Sequence, residues 1–560
     1  MLGIAVLASV VLRTGHLVGK RVLEHDEAIS YLSATGHQVE WAEVTRGARA
    51  LTDRWVPARD FKRLIRPEGP VPFGTIRHDL AIADIHPPLY FWMLALWMRL
   101  LPVAVWTGAA LNIPIALATL VALFFLARRV TGDDLLATAV VLVWAVSPSV
   151  IEVSGLARQY DLLALVSVLT VWQALRFADQ EVTPGWRDGV LMALTVAAGA
   201  LTHYHFAIVL AGTAAVVAAR ALVEPQTGSG SRMREAARRL GSLALACAAG
   251  ALLFWALHPE FLASFSRQGA QAAVTSAGAM RARIYWVSRG FLGFFGLEDR
   301  WVATVSSDPR WLGRLVVFSK VAAIATTLAV VAAVGAAVLS RVRALYRRAA
   351  AAVGADALSV LAILAFNAGA LVFLYLTFRS PEHAMRARYL AMVWPFMAFA
   401  PVLLTRRWDA WPALALAALL LLPASAGDAF PRRTAPSDGR AAIAGARRVV
   451  TDNLARGILP VFLLMVSDDA QIYASSQDTL IETDDWMKDL SVGDVVISKA
   501  HNERLKAGQE RLVGKLESAG IQTSRTKEML GPGGTAIVVT ARQPRYGPGP
   551  ARVSRRGSWD

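Results

Sequence analysis

The sequence predicts an all-α polytopic membrane protein with a small C-terminal α/β soluble domain. Two observations carry that reading. Of 560 residues, 55% are hydrophobic and only 18% charged, where a soluble domain carries about 45–50% and about 25%. Apolar runs also recur at close to the ~20 residues that cross a bilayer core at ~1.5 Å per helical residue. The net charge of +16 then suits cytoplasmic loops and lipid headgroups. No zinc-finger spacing or compact basic domain points to nucleic acid. The single cysteine, Cys247, excludes an internal disulfide framework and leaves the redox compartment open.

The first apolar run, Leu2 to Leu12, is interrupted by Arg13. It reads as a short first span, without the basic start of a signal peptide, and suggests a start assigned too far downstream. A polar stretch from Lys20 to Ile85 follows, containing Asp26, Glu27, Asp53, Asp60, Asp79 and Asp84. Ten further spans are expected near 104–127, 134–151, 161–177, 188–202, 206–223, 240–257, 313–339, 356–378, 389–405 and 411–427. Segments 86–101 and 284–297 are shorter and carry Arg99 and Arg289, so they read as interfacial helices. Under this count Arg128 and Arg129, Arg176 and Arg187, Arg232 to Arg239, Arg341 to Arg348, and Arg406 and Arg407 share one side, which the positive-inside rule makes cytoplasmic. The result is about eleven spans, with the N-terminus inside and the tail outside. Segments 20–103, 151–160, 202–205, 258–312 and 379–388 then share the outer face with the tail.

Residues 1–430 form the expected transmembrane domain, 437–545 an extracytoplasmic α/β domain and 546–560 a disordered tail. Within the α/β domain, Leu459 to Val466, Asp494 to Ser498 and Thr535 to Thr540 read as short buried strands. Helical stretches near 440–456 and 502–519 alternate with them. Gly531-Pro532-Gly533-Gly534 reads as a turn, since no Lys-Ser/Thr follows to make a phosphate loop.

Five outer-face constellations carry potential chemistry. His25-Asp26-Glu27-Ala28-Ile29-Ser30-Tyr31 reads either as a helix start, with acidic residues in the first turn, or as a carboxylate pair at the membrane surface, one member serving as general base. Asp84-Ile85-His86-Pro87-Pro88-Leu89-Tyr90 opens a helix with Pro-Pro, and its Asp and His suit a polar pocket for a lipid-linked ligand. Ala157-Arg158-Gln159-Tyr160-Asp161 reads either as a snorkelling Arg with an interfacial Tyr or as a guanidinium fork for a carrier phosphate. Arg379 to Leu390 concentrates Arg386 and Arg388 before Tyr389 on the outer side. That runs against the positive-inside trend and suits an anionic ligand. Thr202-His203-Tyr204-His205 is a weak metal pair, because residues at i and i+2 face apart; His203 is counted with the ligand-binding residues.

Taken together, these residues resemble glycosyltransferase family 39, the ArnT–protein O-mannosyltransferase group of the GT-C superfamily. The resemblance rests on Asp26-Glu27-Ala28 with Tyr31, His86-Pro87-Pro88-Leu89-Tyr90, Ala157-Arg158-Gln159-Tyr160 and Arg386-Ala387-Arg388-Tyr389-Leu390, in that order, and covers roughly residues 1–405. The short first span departs from the family, and the tail is not diagnostic. The resemblance implies a GT-C-like enzyme that transfers a sugar from a polyprenyl-phosphate donor to a glycan, lipid or protein acceptor, with inversion. By that implication Asp26 is the general base beside Glu27. Arg158, Arg388 and Arg386 stabilise the departing phosphate, while Asp84, His86, Tyr90, Tyr160, His203 and Tyr389 shape the pocket. Some GT-C enzymes use a divalent metal, but the first outer segment has no Asp-x-Asp pair, so no cofactor is expected. The alternative is a transporter or flippase of lipid-linked sugars; it predicts matched repeats and mid-membrane charge, and neither is evident in the sequence. A non-enzymatic assembly protein, the third reading, predicts that Asp26 can be changed without consequence.

Overall fold

The computed structural model describes residues 2–47, 49–179, 182–223, 232–270, 290–297, 340–377, 387–405, 409–429, 438–455, 457, 459–499, 503–530 and 534–542. Among them, Leu2–Gly19, Thr107–Thr131, Tyr160–Ala178, Ala236–Leu257 and Ala355–Tyr375 are helices long and apolar enough to cross a membrane. Asp134–Ala145 and Pro148–Ser154 make a sixth if the pair, bent by 58°, is one span. The protein is a multi-pass membrane protein, mostly helical, with a small sheet in its C-terminal part. The span expected at 313–339 and the tail 546–560 lie outside the described residues.

Three expected spans take a different form. Arg13 does not interrupt the first helix, which runs for 18 residues. The guanidinium is 3% exposed; it donates to Ser9 Oγ (2.6 Å) and Ser154 Oγ (3.2 Å) and lies 5.3 Å from the Trp144 ring. The segment read as 134–151 breaks at Val146–Ser147, where Pro148 opens the second helix. Backbone freed by such a break must find partners where water is scarce; here Ser425 Oγ donates to the Val146 carbonyl (2.6 Å), and Ser147 Oγ in turn holds the Phe294 carbonyl (2.7 Å). The segment read as 389–405 is a 3-10 turn, Ala387–Leu390, followed by Trp394–Met397 and Phe399–Leu404.

By its contacts the chain divides into two compact units. The first comprises Met1–Arg21, Ser30–Gln38 and Pro67–Arg433. An ion-pair network ties one set of helix ends within it. Arg129 bridges Asp179 and Asp356 (2.8 Å each), Asp356 also pairs with Arg220, and Arg239 holds the Asp179 carbonyl.

The second unit comprises Val22–Ile29, Val39–Arg66 and Thr434–Asp560, so it includes parts of the segment read as one outer loop. Its six-stranded sheet has the order β1-β3-β2-β4-β6-β5. The strands are β1 (Trp55–Pro57), β2 (Arg448–Thr451), β3 (Gln471–Ala474), β4 (Val495–Lys499), β5 (Ile521–Leu530) and β6 (Gly534–Arg542). β3, β2 and β4 are parallel, flanked by antiparallel β1 and β6. The run expected as a strand at 459–466 is instead helical over Leu459–Leu463, and β2 lies inside the stretch read as helix. A short buried apolar run has no period that separates the two states. Pro460 in the first turn suits a helix, while β-branched Val449, Val450 and Thr451 suit a strand buried on both faces.

Candidate functional site

Asp84 follows the helix Phe73–Ala83 and is held by its surroundings. Its carboxylate accepts from Gln38 Nε2 (3.1 Å), from the Ile85 backbone N–H (2.7 Å) and from His86 Nδ1 (2.8 Å). With Nδ1 engaged, the His86 ring is oriented with Nε2 opposite, and its centroid lies 6.0 Å from that of His203. Tyr90, on the helix Leu89–Leu100 that Pro88 precedes, is fully buried.

The turn before the helix Tyr160–Ala178 supplies the next groups. Arg158 is 4% exposed and donates from Nη1 to Ser30 Oγ (3.1 Å). The turn packs closely: a Cβ on Gly108 would come within 2.3 Å of the Ala157 methyl. Tyr31 pins the same region, donating to the Ala104 carbonyl (2.7 Å) and accepting from the Gly108 N–H (2.8 Å). Asn112 Nδ2 holds the carbonyls of Ser154 (3.0 Å) and Leu156 (2.5 Å).

From much later in the chain, Arg388 and Tyr389 arrive on the 3-10 turn. Arg388 is 7% exposed, and its guanidinium carbon lies 5.8 Å from the Tyr160 ring and 5.7 Å from the Tyr389 ring. Tyr389 stacks on Tyr375 (5.5 Å) and meets Tyr160 edge-on (6.0 Å). His203 lies 6.2 Å from Tyr160 and 4.6 Å from His205. The two histidines do not face apart as their spacing suggests. His203 is extended (φ −162°, ψ 136°) and its Nδ1 accepts the His205 N–H at 3.1 Å, so the turn folds back on itself. Among the described residues no three His, Cys, Asp or Glu side chains form a metal cluster.

The first unit thus brings together Asp84, His86, Tyr160, His203, Arg388 and Tyr389, while Arg158, two residues before Tyr160, is held by Ser30. Arg386 lies outside the described residues. Sequence reasoning missed Ser30, Gln38, His205 and Tyr375 as members. His205 stood in a named motif, whereas Tyr375 sits in an apolar run and carries no separate signal.

Asp26 and Glu27 belong to the second unit. They occupy the first turn of the helix His25–Thr35. Glu27 is fully buried and its carboxylate accepts the Glu24 N–H (2.8 Å) at the helix start. Asp26 is more open, with a 19% exposed side chain 3.2 Å from His25 Nδ1. The two carboxylates therefore have different surroundings, and only Asp26 reaches solvent appreciably.

Residues 85–255 match the family model of dolichyl-phosphate-mannose-protein mannosyltransferase. The match includes His86 to Tyr90 and Ala157 to Tyr160, so it agrees there with the resemblance read from the motifs; Asp26 and Arg388 lie outside it. Two solved structures are similar over 97% of this chain and 99% of theirs, each at 15% identity. They are ArnT from Cupriavidus metallidurans bound to undecaprenyl phosphate, with a TM-score of 0.45, and ArnT from the same organism in the apo state, with a TM-score of 0.42. No curated protein matches the chain.

Proposed function

We propose that this protein is a membrane glycosyltransferase that moves a sugar from a polyprenyl-phosphate carrier to an acceptor hydroxyl on the extracytoplasmic face, with inversion. The observation that carries the reading is the almost wholly buried Arg388 set against the rings of Tyr160 and Tyr389, with a second buried arginine, Arg158, two residues before Tyr160 in the chain. A guanidinium held in place in a water-poor site is preorganised to stabilise a phosphate anion as it develops. The mannosyltransferase match over 85–255 supports the same chemistry.

Asp26 is the general base in this reading. It removes the acceptor proton as the hydroxyl attacks the anomeric carbon and the carrier phosphate departs. Its exposure, against the buried Glu27, supports that division of roles. His86, oriented by Asp84, and His203 line the donor pocket with Tyr90.

The test is to incubate the purified protein in lipid with a panel of polyprenyl-phosphate sugars and measure release of the free carrier. Turnover with at least one donor is expected, falling ~10²–10⁴-fold in Asp26→Asn. Wild-type turnover in that variant removes Asp26 as base, and movement of donor across the bilayer without carrier release replaces the enzyme with a transporter.

A further inference from the structure

The second unit holds a polar cluster that the transfer chemistry does not use. Its three parallel strands are ordered β3-β2-β4, with β2 first in the chain. The chain leaves β2 toward β3 on one side and leaves β4 toward the opposite edge. In open α/β sheets, ligands bind in the crevice outside the carboxyl ends of two such strands. At the ends of β2 and β4 stand Asp452, Asn453 and Ser498. Asp452 Oδ2 accepts from Ser498 Oγ (2.7 Å) and from Gln477 Nε2 (3.0 Å). A glycine at 508 leaves room for Gln477, since a Cβ there would lie 2.1 Å from its Oε1.

Asn453 is the anomaly. It is 1% exposed, and among the described residues neither its side-chain oxygen nor its nitrogen has a hydrogen-bond partner. Its backbone N–H is satisfied by Thr451 Oγ1 at 3.1 Å, so the side chain is not needed to close the turn. A buried amide left unmade is costly, and an apolar residue of the same size would avoid that cost. Beyond Asn453 in the chain, the Leu454 carbonyl is held by Trp41 Nε1 (3.0 Å), and Gly457 lies so close to His25 that a Cβ would come within 2.4 Å of its ring. His25 is the neighbour of Asp26.

We propose that the carboxyl end of β2 and β4 is a carbohydrate subsite, with Asn453 supplying its central donor and acceptor. A primary amide, next in the chain to a carboxylate that already holds a hydroxyl and an amide, both donates and accepts, as sugar hydroxyls do. The described side chains of the cluster include no cation to draw an anion. That the carbohydrate is the acceptor rests on the glycosyltransferase reading; that a carbohydrate binds here does not.

The experiment is saturation-transfer NMR on the full chain in lipid nanodiscs, using methyl glucoside, methyl mannoside and methyl galactoside as probes. Transfer to at least one is expected, weakened about tenfold in Asn453→Leu, with thermal stability equal to or above wild type. Asn453→Ser, smaller and still polar, serves if the leucine variant does not fold, and the same loss is expected. Absence of transfer with all three probes overturns the proposal, as does undiminished transfer in the variants. A marked loss of stability in Asn453→Leu without a loss of binding also overturns it, because the amide is then a structural group. Probe binding without donor turnover sinks the transferase reading alone, and turnover without probe binding sinks the subsite alone.

Discussion

A guanidinium buried as deeply as those of Arg158 and Arg388 is kept where an anion, a hydroxyl or an aromatic face compensates its desolvation. Arg158 has Ser30, and Arg388 has two tyrosine rings. If both also serve one carrier phosphate, Ala at either position weakens binding of a lipid-phosphate analogue by on the order of 30-fold. Lys restores only part, because it offers a point charge in place of a planar fork. The double variant loses less than the sum of the singles, since both act on one group; strict additivity in titrations means they do not share a ligand. Arg158, Tyr160 and His86 were legible because short motifs carry them. Tyr375 was not, because a tyrosine in an apolar run reads as an interfacial anchor until the fold sets Tyr389 against it.

Single elements decide how the second unit is laced. The helix Ala58–Lys62 and the residues after it meet the loop before β3 through Asp468, which Arg66 (2.8 and 3.0 Å) and Lys62 (2.6 Å) hold well below the usual carboxylate range. A depressed carboxylate stabilises the fold above its unfolded pKa of about 3.9 and withdraws that contribution as pH falls below it. Asp468→Asn therefore lowers the unfolding temperature at pH 7, and its difference from wild type shrinks on acidification below about pH 4. The effect is modest, because Asp468 is half exposed. A difference that persists unchanged in acid, followed by thermal unfolding, rejects this linkage. At the same scale, the sequence could not separate Leu459–Leu463 from a strand, because five buried apolar residues fit either state.

Across the whole molecule, three helices of the first unit carry the candidate site at one end and the ion-pair network at the other. Tyr160 opens a helix that Asp179 follows, His205 precedes one that contains Arg220 in its last turn, and Asp356 and Tyr375 mark opposite ends of a third. Asp356→Ala strips two arginines of a shared carboxylate and is expected to cost about 3 kcal/mol of stability, measured by unfolding in detergent. Lipid-phosphate binding by the folded fraction remains, because the site is at the far helix ends; equal loss of both rejects that separation. The arginine-rich ends are cytoplasmic in the proposed topology. A reporter active only in the cytoplasm, fused after Arg545, is then silent, and a bright signal rejects the proposed topology of the C-terminal part.

By itself the sequence determined the membrane class and the helical character of the chain, because hydropathy is summed over ~20 residues and tolerates local error. It also singled out most of the polar residues that the first unit gathers around Tyr160 and His203, because such residues stand out in apolar surroundings. Only the tertiary structure decided that Arg13 lies inside a continuous helix, that 134–151 is broken at Ser147, and that Asn453 is buried with its amide unmet. Each of these depends on a partner, or on the lack of one, more than 100 residues away or across a sheet end. Local periodicity contains no term for such a contact, and the cost of burying a polar group is set by that contact alone.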